Sequence, residues 1–241
     1  MSFTNFDINI QKEILSKDFI ILGETHGIKE NLDITRCFIK FFIDQNISVF
    51  FAIEWPANLD AEINDYVRKN KNGLNWKRWL FSKSPDGRIS KEHLKFLGWL
   101  KKKQILIKCF DDNGKNWNDR DKKMVKNIVN VHVKNKNHKI VALMGNLHAK
   151  KHSFDLNGKI CRPLASYLPK NKTVSFKINY LSGQYFNMFI KKIESNKNIK
   201  IWNEKKIITK SKDKAYDYEI VLKKATPISI LDKKSVTHTD K

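Results

Sequence analysis

The chain of 241 residues has little cysteine, little arginine and no long apolar run. Cys37, Cys109 and Cys161 are odd in number, far apart and set partly in apolar surroundings, which excludes a disulfide framework and leaves reduced core thiols. No run approaches the ~20 apolar residues that a spanning helix needs. The opening MSFTNFDINIQKEIL is also too polar for the hydrophobic region of a signal peptide, so the chain is expected in the cytoplasm with no membrane insertion. Of 47 basic residues only six are arginine, and the lysines are spread through nearly every segment among asparagines. The formal charge of +22 therefore describes a solvated lysine surface more than a basic stripe. Helix-turn-helix, zinc-finger and RNA-recognition signatures are missing, so specific nucleic-acid binding is not expected. Missing too are G-x-S-x-G, the P-loop, G-x-G-x-x-G, H-E-x-x-H and paired C-x-x-C, which leaves a serine or cysteine nucleophile without support.

What is present is a globular composition, 41% hydrophobic and 30% charged, sized for one domain with a core over about residues 17–231 and a loose tail at 232–241. Four nearly continuous apolar runs recur: DFIILG (18–23), ISVFFAIE (47–54), QILIKCFD (104–111) and HKIVALMG (138–145). They read as strands covered on both faces. Between the first two, Ile34, Phe38, Phe41 and Phe42 share one helical face. Further helices are expected in LDAEINDYV, in WKRWLF, after Ser90 and through Met124, Ile128 and Val131. This alternation predicts an α/β fold, a mostly parallel central sheet flanked by helices. The C-terminal third changes character: TVSFKIN, GQYFNMFIKKI, IKIW, KIIT and YEIVLKK read as strands with short connections, added in antiparallel fashion.

A parallel sheet binds ligands at the carboxyl ends of its strands. The first run ends in Glu24 and His26, the second in Glu54 and Trp55, the third in Asp111 and Asp112, the fourth in Asn146 and His148. Ionisable groups placed directly after four buried runs are costly unless they satisfy one another or a ligand. Arg120 opens the next helix in a chain where lysine is the usual base, as Arg162 also stands out, and Asn127 interrupts the apolar stripe of that helix as if bonded into the site.

The blocks ILGETHG, FFAIEW, RDKKMVKNI, GNLHAKK, RPLASYLP and AYDYEIVLKKATPISIL resemble, in order, those of the erythromycin esterase, ChaN-like and Tiki superfamily, and they span residues 19–231. The resemblance implies an α/β core with its site at the strand ends. It also implies one of three activities: metal-independent ester hydrolysis, metal-dependent peptide cleavage or haem binding.

The expected function is a hydrolase that activates water to cleave an ester or related acyl bond of a small-molecule substrate, without a cofactor. His26 is the expected base. Glu24 or Glu54 orients it, Arg120 holds a substrate carboxylate or oxyanion, and His148 assists the leaving group. Asn146, Asp111, Asp112 and Trp55 are expected to bind substrate, with specificity set by loops over residues 55–87. Two alternatives use the same residues: a divalent-metal-dependent hydrolase or peptidase in which the histidines and glutamates are ligands, and a non-enzymatic haem-binding or interaction domain.

Overall fold

The computed structural model of the chain describes residues 7–69, 86–194 and 208–231. The helix expected in WKRWLF, the strand in IKIW and the tail at 232–241 lie outside the described residues. The central sheet has seven strands: β1 (Phe19–Glu24), β2 (Val49–Pro56), β3 (Ile107–Asp111), β4 (Lys139–Gly145), β7 (Thr173–Tyr180), β10 (Ile208–Lys210) and β11 (Tyr218–Leu222). Their order across the sheet is β10-β11-β7-β1-β4-β2-β3. All adjacent pairs run parallel except β10 with β11. The fold is α/β as expected. Its antiparallel character lies in β10 and in two separate hairpins, β5 (Phe154–Leu156) with β6 (Lys159–Cys161), and β8 (Gln184–Asn187) with β9 (Phe189–Lys192).

Among the described residues five α-helices accompany the sheet: α1 (Ile8–Ser16), α2 (Glu30–Asp44), α3 (Asp60–Lys69), α4 (Lys91–Lys102) and α5 (Trp117–Lys134). Strand alternation sorts the core into two layers. Ile20, Leu22, Phe51, Ile53, Val141 and Leu143 face α1 to α4, meeting Ile14, Phe38, Ile63 and Phe96. Phe19, Ile21, Phe50, Ala52, Ile140 and Ala142 face the other way, against Met124 and Ile128 of α5 and Leu164 and Leu168. Cover on both faces is why the strands are apolar without interruption. The expected α2 face of Ile34, Phe38, Phe41 and Phe42 is buried throughout, and Ser90 caps α4 by accepting the His93 N–H. Among the described residues no helix is long and apolar enough to cross a membrane.

The edge strand β3 is closed by α3. Asn64 bonds both the N–H and the C=O of Ile107, at 3.0 and 2.7 Å, and Asp60 accepts the Cys109 N–H at 2.9 Å. These bonds satisfy backbone groups that would otherwise invite another strand. Asn127 donates to the carbonyl of Phe110 at 3.2 Å, so its place in the apolar stripe is explained by a strand carbonyl and not by a bond into the site.

GQYFNMFIKKI, expected as one strand, folds instead as the β8–β9 hairpin, turning at Met188 with φ 63°. The β5–β6 hairpin was not foreseen. Its signal was the Asn157-Gly158 pair, whose φ values of 54° and 76° suit a tight hairpin turn.

One glycine holds a hairpin against the sheet. Gly27 has φ 83° and its carbonyl accepts the N–H groups of Phe186 and Ile228, both at 3.1 Å. A Cβ there would lie 1.8 Å from the Phe186 carbonyl oxygen. Gly27→Ala is expected to lower unfolding free energy by roughly 3 kcal/mol, read as a reduced urea midpoint with unchanged slope.

Candidate active site

The parallel strands end at one edge of the sheet, and there the polar residues converge. Glu24 closes β1, paired in register with Gly145 at the end of β4. Glu54 lies near the end of β2, within a register shift against β3 between Ile53 and Pro56. Shifts of this kind re-aim side chains beside functional sites. Asp111 closes β3, and Arg120 sits in the first turn of α5, whose N-terminus is capped by Asn116.

Arg120 is the centre of the cluster. Its Nη2 donates to Glu54 Oε1 at 2.9 Å and lies 2.7 Å from Asp111 Oδ1, which its Nε also reaches at 2.9 Å. Its Nη1 lies 2.9 Å from His148 Nε2. A guanidinium has only hydrogens to give, so His148 Nε2 is the acceptor and the proton of that neutral ring is on Nδ1, which donates to Asp121 Oδ2 at 2.9 Å. Trp117 stacks on the same imidazole, centroids 4.5 Å apart and planes 7° from parallel. Arg88, just before α4, closes the other side: it donates to Asp111 Oδ2 at 2.9 Å and to the Glu54 carbonyl at 3.3 Å, and pairs with Asp86.

Glu54 is therefore a buried anion, its side chain 5% exposed, held by Arg120 on one oxygen and by the Gly145 N–H at 2.8 Å on the other. Burial pushes its pKa up, but the charges that His148 and His26 carry when protonated, the charge of Arg120 and the Gly145 bond outweigh this and bring it down to about 2. Against the opposing effect of burial, Glu54 and Asp111 raise the pKa of Arg120 above its ordinary range, and Asp86 first, then Glu54 and Asp111, do so for Arg88.

His26 is different. Its side chain is 25% exposed, against 9% for Glu24. Nδ1 lies 2.8 Å from Glu24 Oε1, and Nε2 lies 3.8 Å from Glu54 Oε2. Burial disfavours the imidazolium, yet the bond and charge of Glu24 with the charge of Glu54 prevail and raise the pKa above 6.5. A Cβ on Gly145 would stand 3.2 Å from His26 Nε2, so the bare backbone leaves room at that nitrogen. The loop is fixed from behind: Asn31 donates to the Thr25 carbonyl at 2.9 Å and accepts the Tyr180 hydroxyl.

Glu24, His26, Glu54, Asp111, Arg120 and His148 thus form one connected cluster. Asn146 adjoins it, its N–H on the Glu24 carbonyl at 2.9 Å and its carbonyl accepting from Tyr216. Trp55 is 1% exposed and donates to the Arg88 carbonyl, so it packs beneath the cluster and does not line an open surface. Asp112 is half-buried and makes no bond to the cluster. Arg162 lies over the Tyr167 ring, away from it. Sequence reading missed Arg88, Asp121 and Trp117. The scarcity of arginine that singled out Arg120 applied equally to Arg88.

The residues do not fit a divalent metal. Among the described residues no group of three His, Cys, Asp or Glu side chains is placed to hold one. The Arg120 guanidinium takes the position between Glu54, Asp111 and His148 that a cation would need. Haem fits no better, because the free nitrogen of His26 faces the Glu54 carboxylate and not an apolar plane.

No family model and no curated protein matches the chain. Solved structures do. A succinoglycan biosynthesis protein superposes with a TM-score of 0.72 at 11% identity, over 93% of this chain and 92% of that one. An erythromycin esterase, a mutant of EreC in its open conformation, superposes with a TM-score of 0.66 at 10% identity, over 94% and 96%. The fold is that of erythromycin esterase. A Bacillus cereus protein shares it too, with a TM-score of 0.62 at 12% identity over 93% of each chain. The esterase fold runs nearly the full length of the chain, as the ordered sequence blocks implied, and at these identities the likeness is one of architecture.

The depressed pKa of Glu54 carries a sign. The stabilisation is complete above the ordinary value of 4.5 and is lost as pH falls through about 2. Glu54→Gln is expected to cost about 3 kcal/mol at neutral pH, with a flatter acid limb in urea unfolding measured from pH 6 to 2.

Proposed function

We propose that the chain is a hydrolase in which His26 activates water to cleave an ester or related acyl bond of a small molecule. One observation carries the reading: the His26–Glu24 pair is bonded through Nδ1 and, among the described residues, leaves Nε2 without a hydrogen bond, 3.8 Å from the Glu54 carboxylate, on a side chain 25% exposed beside a buried charge cluster. The architecture shared with an erythromycin esterase agrees with it.

Neutral His26 donates its Nδ1 proton to Glu24 and accepts a proton from water at Nε2 as the water oxygen adds to the acyl carbon. Glu24 and Glu54 stabilise the imidazolium. On collapse of the tetrahedral intermediate the same proton passes to the leaving oxygen, giving acid and alcohol. Arg120 has five N–H groups; among the described residues Glu54, Asp111 and His148 engage four, which leaves one on Nη1 for the developing oxyanion. Such a donor is worth roughly 3 kcal/mol. The expected leaving-group role of His148 passes to His26, because both ring nitrogens of His148 are committed and its side chain is 6% exposed. His148, backed by Asp121 and Trp117, positions Arg120.

Turnover on a panel of soluble aryl and alkyl esters tests this. His26→Ala is expected to reduce kcat/KM by about 10²–10⁴-fold with an unchanged melting temperature. Because the base must be neutral, kcat/KM rises with pH through the His26 pKa, above 6.5 in the parent. Removing the Glu24 charge in Glu24→Gln moves that limb to lower pH. An unmoved limb, or full activity in His26→Ala, contradicts the assignment.

A further inference from the structure

The two hairpins leave the sheet at the edge that bears the site, β5–β6 after β4 and β8–β9 after β7. Each is tied to the site. Phe186 of β8 donates its N–H to Gly27, the neighbour of His26, at 3.1 Å. Trp117, stacked on His148, meets Phe154 of β5 edge-on at 6.0 Å, and Asn118 donates to the Ile160 carbonyl of β6 at 3.1 Å.

Their outer ends are apolar. Met188, Phe189 and Ile190 are 61%, 61% and 58% exposed, and Leu156 and Ile160 are 39% and 65% exposed. Leu147, next to His148, is 39% exposed between them in the chain's path from β4. Folding does not ask for this. Met188 occupies a left-handed turn position, φ 63°, where glycine or asparagine is favoured and a long apolar side chain gains no burial. Large apolar groups exposed on both hairpins that leave the site edge mark a contact surface.

Lysines collar the same ends. Lys191 Nζ lies 4.7 Å over the Phe189 ring and Lys150 Nζ 4.7 Å over the Phe154 ring. Residues 184–192 include Lys191 and Lys192 and no acid, in a chain of formal charge +22. Apolar tips that protrude from a lysine collar match the layering of an anionic bilayer, head-group phosphate outside and acyl boundary within. At the base of β8–β9 a cavity of about 340 Å³ lies beside Thr25, the other neighbour of His26, and is lined also by Tyr180, Tyr185, Lys192 and Ile193.

We propose that this face docks on an anionic lipid surface through the β5–β6 and β8–β9 tips and brings the site to acyl esters of membrane amphiphiles. The substrate half rests on the hydrolase reading; the docking half does not. Contact by hairpin tips is peripheral and requires no spanning helix.

The full chain is sedimented with vesicles of phosphatidylcholine alone or with phosphatidylserine, at about 0.1 M salt. Binding to the anionic vesicles is expected, with the partition coefficient falling roughly tenfold in the charge-neutral double variant Phe189→Ser, Ile190→Ser at unchanged melting temperature. The double variant is expected to keep its rate on soluble esters and lose rate on vesicle-embedded ones. No binding to anionic vesicles overturns the proposal. Equal binding of variant and parent overturns it in favour of unspecific lysine adsorption, and equal affinity for soluble polyglutamate overturns it in favour of an acidic protein partner. Docking by parent and by His26→Ala without any ester turnover sustains the docking and counts against the hydrolase reading.

Discussion

The Arg120 guanidinium, held between Glu54, Asp111 and His148, is the interaction on which the site depends. Glu54 is nearly inaccessible and ionised, and a buried anion of that kind persists only where donors replace its water. Arg120 of α5 and the Gly145 N–H at the end of β4 supply those donors, with the Arg88 guanidinium 3.7 Å from Oε1. The charge of Glu54 is then fixed 3.8 Å from His26 Nε2, where it favours the imidazolium without competing for the Nδ1 proton that Glu24 accepts. One carboxylate sets the tautomer of the base and the other sets the field around it.

The fold makes this economical. Six parallel strands bring their ends to one edge, and β1, β2, β3 and β4 each contribute one or two residues there without a long excursion. The buried half of the cluster is rigid because every member is bonded: Asp121, fully buried, accepts from His148 and from the Leu164 N–H at 2.7 Å, linking the site to the layer under α5. His26, Arg120 and Arg88 retain the most exposure, and the proposed hydrolysis uses the first two. The two hairpins framing this edge add an apolar, cationic rim.

Much of this was legible in the sequence, and the reason is physical. A strand buried on both faces must be apolar throughout, so FIILG, VFFAI and KIVALM announce themselves, and the first ionisable residue after each marks the strand end. Arg120 was visible because lysine is the default base here. Arg88 carried the same mark but follows no apolar run. Asp121 and Trp117 were not legible, since their meaning comes from His148, a residue 27 positions beyond the first and across the sheet edge. Trp55, expected to bind substrate, is buried instead, because the strand β2 continues past Glu54 and carries it into the core. One hairpin was read as a single strand and the other was not foreseen, because periodicity is too short to count in segments of three or four residues; the Asn157-Gly158 turn was the available clue.

The claim at the centre is that His26 is a base shaped by two carboxylates, one bonded to it and one held close by Arg120. Titration of its imidazole by NMR tests this most directly. The account predicts a pKa above 6.5, with the neutral ring protonated at Nδ1. A His26 that titrates at or below 6.5, or whose neutral form carries its proton on Nε2, would contradict it.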